Sequence, residues 1–354
     1  MLILSLLEPK STLRLDARGW HRLLLLARQH GLLAKLDARL AALQLLDSVP
    51  DKARSQMHAA RIATLSSQTA VRFEVNRVLR ALRGSDIPIL LMKGSAYLHA
   101  GLPPAAGRFV GDVDLMVPRG RIDEIERKLV EHGWVAADLD AYDQRYYREW
   151  AHEIPPLQHP ERDTPLDIHH TISPLTSRVH PDAAAILSAS LPLGDTRLRV
   201  MCPADMVLHS ALHLFNDEVS MPLRDLFDLH DLLGHFSPLP GFWDDLLQRA
   251  ELHGLQRVLY HLHQHTRDAL GTEWPSAVSR AVTQWAPSPL MRPLLSHLLR
   301  AHFAPTDPDR PGLGKTMAET ALYMRAHWLR MPPLLLARHL STKAWKRLRQ
   351  GPAQ

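Results

Sequence analysis

Ile87–Pro88–Ile89–Leu90–Leu91–Met92–Lys93–Gly94–Ser95, followed by Val110–Gly111–Asp112–Val113–Asp114–Leu115–Met116–Val117, is the part of the chain whose reading decides the fold. The first segment is a short, β-prone apolar run that ends in Lys-Gly-Ser, as a buried strand entering a turn does. A short helix from Ser95 to Ala100 and a Gly/Pro-rich loop through Gly107 are expected next, then a second strand, Val110 to Val117, closed by Pro118. Side chains alternate along a strand, so Asp112 and Asp114 share one face while Val113 and Leu115 enter the core. Arg121 to His132 carries Ile122, Ile125, Leu129 and Val130 at helical spacing and meets a stop at Gly133. Pro165 to Ile172 reads as a third strand. Strand, helix, strand, helix, strand is the order of an α/β unit.

Outward from this unit the texture is helical. Trp20 to Leu46 has leucines at three- and four-residue spacings with a break at Gly31, and a longer helix is expected from Asp51 to Arg83, ended by Gly84. Its later half sets Val71, Val75, Val78 and Leu82 on one face, the pattern of a helix packed on something. After Leu198 helices return: Pro203 to Phe215, Pro222 to Leu233, and Trp243 to Thr266 with a break at Gly254. Residues 272 to 320 read as shorter helices and linkers. The expected division is 1–86, an N-terminal helical region; 87–198, the α/β core; 199–322, a C-terminal helical region; and 323–354, a basic amphipathic tail.

The 354 residues are 45% hydrophobic and 22% charged, an ordinary globular balance, and aromatics make up only 6%. One cysteine, Cys202, excludes an internal disulfide framework and a cysteine-based zinc site. The N-terminus lacks the cationic region of a signal peptide, and no stretch approaches the roughly 20 apolar residues of a membrane span, so a cytoplasmic protein is expected. A net charge of +5 favours anionic partners without choosing among them.

Two carboxylates on one strand face repel, and each raises the proton affinity of the other. A divalent cation resolves that conflict. Mg²⁺ favours carboxylate oxygens and takes its remaining ligands from water and phosphates. Gly94 permits close approach of backbone to a phosphate, and a helix starting at Ser95 would offer unpaired N–H groups. A third carboxylate, Asp167, stands in Pro165–Leu166–Asp167–Ile168–His169–His170, where Asp167 and His169 share a face. If that strand lies beside the Asp112/Asp114 strand, three carboxylates converge as two-metal phosphoryl or nucleotidyl transfer requires.

In these motifs the chain resembles the polymerase-beta nucleotidyltransferase superfamily, whose signature is Gly-Ser, Asp-x-Asp and a third Asp. More narrowly, Leu91 to Gly94, Arg108, Gly111 to Val117 and Leu166 to His169 resemble a bacterial group of uncharacterised nucleotidyltransferases. So do the helices around Pro203–His209 and Arg224–Asp228. The likeness runs from about residue 55 to about residue 270. It implies an α+β fold: a small mixed-sheet, polymerase-beta-like core flanked by N-terminal and C-terminal helical regions. It also implies Mg²⁺ (or Mn²⁺), with an NTP as substrate. Asp112, Asp114 and Asp167 would be catalytic and metal-binding; Gly94 and Ser95, with Lys93 and Arg108, would hold the nucleotide. A nucleoside monophosphate would pass to an acceptor hydroxyl with release of pyrophosphate. The gap between Gly94–Ser95 and Asp112 is longer than in typical superfamily members and carries Arg108 in what reads as a flexible loop.

The acceptor is open between a small molecule, a peptide or protein, and RNA, although the modest charge and few aromatics do not describe a dedicated nucleic-acid groove. His169, His209 and His213 are candidates for the acceptor side, with ordinary packing as the competing reading. Arg224 and Asp228 read as an ion pair at four-residue spacing. His261 and His265 share a helical face without an evident third ligand. Gly312–Leu313–Gly314–Lys315–Thr316 lacks the first glycine and the preceding strand of a P-loop. The alternative to an enzyme is a catalytically silent helical scaffold, or a membrane-associated protein using Arg338, Lys343, Trp345, Lys346, Arg347 and Arg349 against an anionic surface.

Overall fold

The apolar runs of the central segment form one seven-stranded mixed sheet. The computed structural model describes residues 1–217, 219–306 and 312–337. The strands are β1 Ile89–Leu91, β2 Val113–Met116, β3 Val135–Ala136, β4 Leu157–Gln158, β5 Leu166–His169, β6 Leu191–Leu193 and β7 Asp195–Val200. Their order is β3-β4-β5-β2-β1-β7-β6. β1 pairs parallel with β7 and β2 parallel with β5, while β1 and β2 are antiparallel neighbours. The three central strands are those with continuous apolar or alternating patterns, and Leu90, Val113, Leu166 and Ile168 are fully buried. β3, β4 and β6 are too short to carry a periodic signal. β6 and β7 were not expected from the sequence; β7 completes the sheet beside β1, and the next helix begins at Pro203 as expected.

The other regular elements are helices, most of which pack on one another. They are α1 Leu2–Leu7, α2 Ala17–Gln29, α3 Leu33–Ala42, α4 Asp51–Ala81, α5 Lys93–His99, α6 Ile122–Glu131, α7 Ala141–Glu149, α8 Ala183–Ala189, α9 Pro203–Asn216, α10 Pro222–Phe236, α11 Phe242–Leu252, α12 Gln256–Leu270, α13 Ser276–Thr283, α14 Met291–Phe303 and α15 Leu313–Arg330. The expected breaks at Gly31 and Gly254 occur, each glycine adopting a positive φ. Val71, Val75, Val78 and Leu82 are buried, as the one-sided pattern of α4 requires. α9 is buried along nearly its whole length and packs on α10, α11, α12 and α15. Its Asp205 meets Arg249 of α11 and His253 in a buried cluster, so the one charge of its first turn is compensated. Residues 323–330 continue α15 rather than starting a separate tail, and the cationic positions from Arg338 onward lie outside the described residues. Among the described residues no helix is long and apolar enough to cross a membrane.

The loop between α5 and β2 is not a flexible excursion. Gln68 of α4 donates to the carbonyls of Ala105 (2.8 Å) and Arg108 (2.9 Å), and the Val110 N–H donates to Ser67 Oγ at 3.1 Å. Gly107, at φ +70°, lies directly on α3: a Cβ there would fall 2.4 Å from the backbone of Ala34 and Lys35. Both left-handed backbone and lack of space demand glycine. Replacing Gly107 by Ala is expected to cost on the order of 3 kcal/mol in chemical denaturation. Gly84→Ala, at φ +81° with nothing within 4 Å, should cost only about 1 kcal/mol.

His261 and His265 of α12 are buried against Phe215 and find no full set of hydrogen-bond partners among the described residues. Burial, with Arg325 adding for His261 and Arg300 for His265, pushes their pKa values from 6.5 down to about 3 and about 4. The unfolded chain therefore binds more protons below pH 6.5, and the stability these neutral rings contribute is lost as the pH falls from about 6.5 toward 4. The Tm of the wild type should drop more steeply between pH 7 and pH 4.5 than that of His261→Leu/His265→Leu. Parallel pH profiles for the two proteins would reject the account.

Candidate active site

The parallel register of β2 and β5 sets Asp114 directly opposite Asp167, and Met116 opposite His169. Asp112 lies one residue before β2, which starts at Val113 rather than at Val110 as expected, and its carboxylate joins the other two. The ligand atoms of Asp112, Asp114 and Asp167 all lie within 4.8 Å of one another. The alternation of the strand turns these acids to one face, and Val113, Leu115 and Ile168 anchor the opposite face in the core.

Three clustered acids need countercharge. Lys93 Nζ lies 2.9 Å from Asp114 Oδ1, and His169 Nε2 lies 3.1 Å from the same oxygen. Burial alone would raise the Asp114 pKa, but Lys93 and His169 outweigh it and hold the carboxyl well below the usual carboxylate range. Asp112 lacks such partners at close range, and burial followed by repulsion from Asp114 raises its pKa. Burial, then Asp114 and Glu153, push Asp167 up to about 7. The cluster thus holds one firmly ionised acid flanked by two with enhanced proton affinity, as crowded carboxylates must.

The turn that delivers Lys93 is strained. Lys93 has φ +45°, one of two non-glycine residues with positive φ among the described residues, and it opens α5 two positions earlier than expected. Gly94 is required by packing: a Cβ would sit 2.9 Å from Val110 Cγ1. The Ser95 side chain is structural. Its hydroxyl is fully buried and lies 2.8 Å from the Met92 carbonyl and 3.1 Å from that of Asp114, so it ties the turn to β2.

A cavity of about 390 Å³ opens over this turn, lined by Lys93, Gly94, Asp112 and Asp114 on the sheet side and by His213 and Arg224 among residues of the C-terminal helices. Arg108 also reaches its wall, but its guanidinium is committed elsewhere. It is buried between Asp225 (3.2 Å) and Asp228, over the ring of Tyr97. Asp228 in turn accepts Lys35 of α3 at 3.1 Å. The expected Arg224–Asp228 pair is therefore absent; Arg224 binds Asp225 instead, because Asp228 points inward to Lys35 and Arg108. His209 is buried on α9 and held neutral by burial and then by the nearby Lys93, and it does not line the cavity. His213 does, with Nδ1 3.1 Å from Asp217 Oδ2.

Sequence reasoning missed Arg224 as a cavity residue, and it missed His152 and Glu153 altogether. Glu153 forms an isolated antiparallel bridge with His169, which brings His152 and Glu153 beside the carboxylates. No periodic pattern marks those two residues, since they sit in an irregular segment between α7 and β4.

Paired strands present to the cleft a cluster of carboxylates that could hold a metal ion. The model of the family described as uncharacterised nucleotidyltransferase matches residues 16–271. The chain belongs to that family, and the enzyme class assigned to it is nucleotidyltransferase. No curated protein matches it.

The Lys93–Asp114 contact yields a direct test. Lys93→Met leaves three neighbouring acids with one countercharge fewer, so its metal-free Tm should fall by several degrees. Added Mg²⁺ or Mn²⁺ should then raise the Tm of the variant more than that of the wild type. Equal shifts in differential scanning fluorimetry would show that Lys93 is not the compensating charge.

Proposed function

We propose that the protein is a Mg²⁺- or Mn²⁺-dependent nucleotidyltransferase with a polymerase-beta-like core, transferring a nucleoside monophosphate from an NTP to an acceptor hydroxyl with release of pyrophosphate. The observation that carries this reading is the set of three carboxylates with ligand atoms within 4.8 Å on paired strands. An all-oxygen, anionic donor set suits a hard divalent cation. When bound, such an ion would neutralise phosphate oxygens and polarise the transferred group.

The chain's own residues supply the rest. Asp112, Asp114 and Asp167 would hold the metal, and Asp167 would also assist removal of the acceptor hydroxyl's proton. Lys93 neutralises Asp114 at 2.9 Å and stands at the cavity wall, placed to meet a phosphate. Gly94 keeps the turn close to Val110 and its backbone open to the cavity. Arg108 acts through Asp225 and Asp228, holding the cavity's far wall, while Arg224 and His213 face the space from the C-terminal helices. In this reading residues 87–198 form the catalytic core between helical flanks, the protein is cytoplasmic, and the acceptor belongs to one of three classes: small molecule, peptide or protein, or RNA.

Purified protein incubated with each α-³²P-labelled NTP, Mg²⁺ or Mn²⁺ and a cell extract should transfer label to a new species, and Asp112→Ala/Asp114→Ala should lower transfer by at least 100-fold. If that variant bound Mn²⁺-NTP as tightly as the wild type, the carboxylates would not be the metal site. The scaffold reading would then take precedence.

A further inference from the structure

We propose that His152, Glu153 and His169 form a second metal site, separate from the three carboxylates and suited to a borderline-soft divalent cation such as Zn²⁺. One ligand atom from each of the three lies within 4.8 Å of the others. The backbone that carries them is fixed. Glu153 forms an antiparallel bridge with His169 of β5, the Ile154 N–H donates to Ile168 O at 3.0 Å, and the His170 N–H donates to His152 O at 2.9 Å. The two imidazole rings lie 5.1 Å apart between centroids.

The wiring of His169 is the second, independent observation. Its ring is 2% exposed, yet Nδ1 finds no hydrogen-bond partner among the described residues, although Glu153 Oε2 lies 3.3 Å away. Its other nitrogen, Nε2, lies 3.1 Å from Asp114 Oδ1. A metal-ligating histidine characteristically donates its remote N–H to a carboxylate, which fixes the tautomer and leaves the opposite nitrogen free for the ion. His169 has that arrangement, with Nδ1 turned toward Glu153. His152 supplies a second such nitrogen: its Nδ1 is also buried and without a partner among the described residues.

A mixed nitrogen and oxygen set selects against Mg²⁺ and favours Zn²⁺, Co²⁺ or a similar ion. The Glu153 side chain keeps 23% of its exposure, so the carboxylate edge of the cluster meets solvent. An ordinary His169–Glu153 ion pair is the competing account. It needs no contribution from His152 and leaves that ring's buried nitrogen unexplained. The proposed site does not depend on nucleotidyl transfer, but His169 joins it to Asp114, so an ion there would orient one of the carboxylates.

Co²⁺ titrated into chelator-stripped, full-length protein is the probe. The wild type should bind one equivalent that gives a visible d–d absorption, displaced by Zn²⁺ and not by excess Mg²⁺. Asp112→Asn/Asp167→Asn should retain this absorption. His152→Gln and Glu153→Gln should each weaken the site at least tenfold, with circular dichroism confirming their fold. X-ray absorption on the Zn²⁺-loaded wild type, which requires no variant, should count two imidazole ligands. Absence of the band, its survival in both His152→Gln and Glu153→Gln, its loss in the double Asp variant, or fewer than two imidazoles would each overturn the proposal.

Discussion

The parallel pairing of β2 with β5 sets Asp114 beside Asp167, and the rest of the site follows from the repulsion this creates. Buried like charges are tolerated only where countercharge and hydrogen bonds are supplied by groups that cannot move away. Lys93 and His169 both converge on the same Asp114 oxygen. Lys93 reaches it from a backbone with positive φ, and that turn is held by the Ser95 hydroxyl against the carbonyls of Met92 and Asp114. Local strain is over-determined by tertiary contacts here, as is usual where geometry serves chemistry. Among the described residues Asp112 and Asp167 have no equally close countercharge, and crowding with burial raises their proton affinities.

The helical flanks have a physical part in the site. The loop from α5 to β2 runs over α3 at Gly107 and under Gln68 of α4, so the N-terminal helices fix the path of the chain into Asp112. Arg108, on that loop, is bound to Asp225 and Asp228 of α10, and Asp228 is shared with Lys35 of α3. Burial lowers the Lys35 pKa to about 8 against the opposing pull of Asp231. Breaking one member of such a network would strand the others as buried charges. The network thus couples both flanks to the cleft, and the loop is long because it must span them.

Much of the fold was legible in single-residue terms. Gly31, Gly84, Gly133 and Gly254 mark real breaks because positive φ is a local property of glycine. The core strands could be read because apolar runs and period-two alternation are local as well. β3 and β4, of two residues each, carry no such period, and β6 and β7 were not read as strands. Arg108 shows the limit for the site: it was read as a solvent loop cation or phosphate contact, and its guanidinium is committed to Asp225 and Asp228 of a distant helix. Only residue type and spacing were visible, and neither reveals which side of a loop faces inward.

The sequence by itself determined the acids of the Asp-x-Asp motif, the third carboxylate at Asp167 and the family to which these belong, because strand alternation makes such motifs local. Only the tertiary structure decided that Asp114 and Asp167 stand opposite each other. The same holds for Lys93 and His169 compensating Asp114, and for His152 and Glu153 lying alongside. Strand register and the packing of irregular segments are set by contacts between residues far apart in the chain, and no pattern in neighbouring residues encodes them.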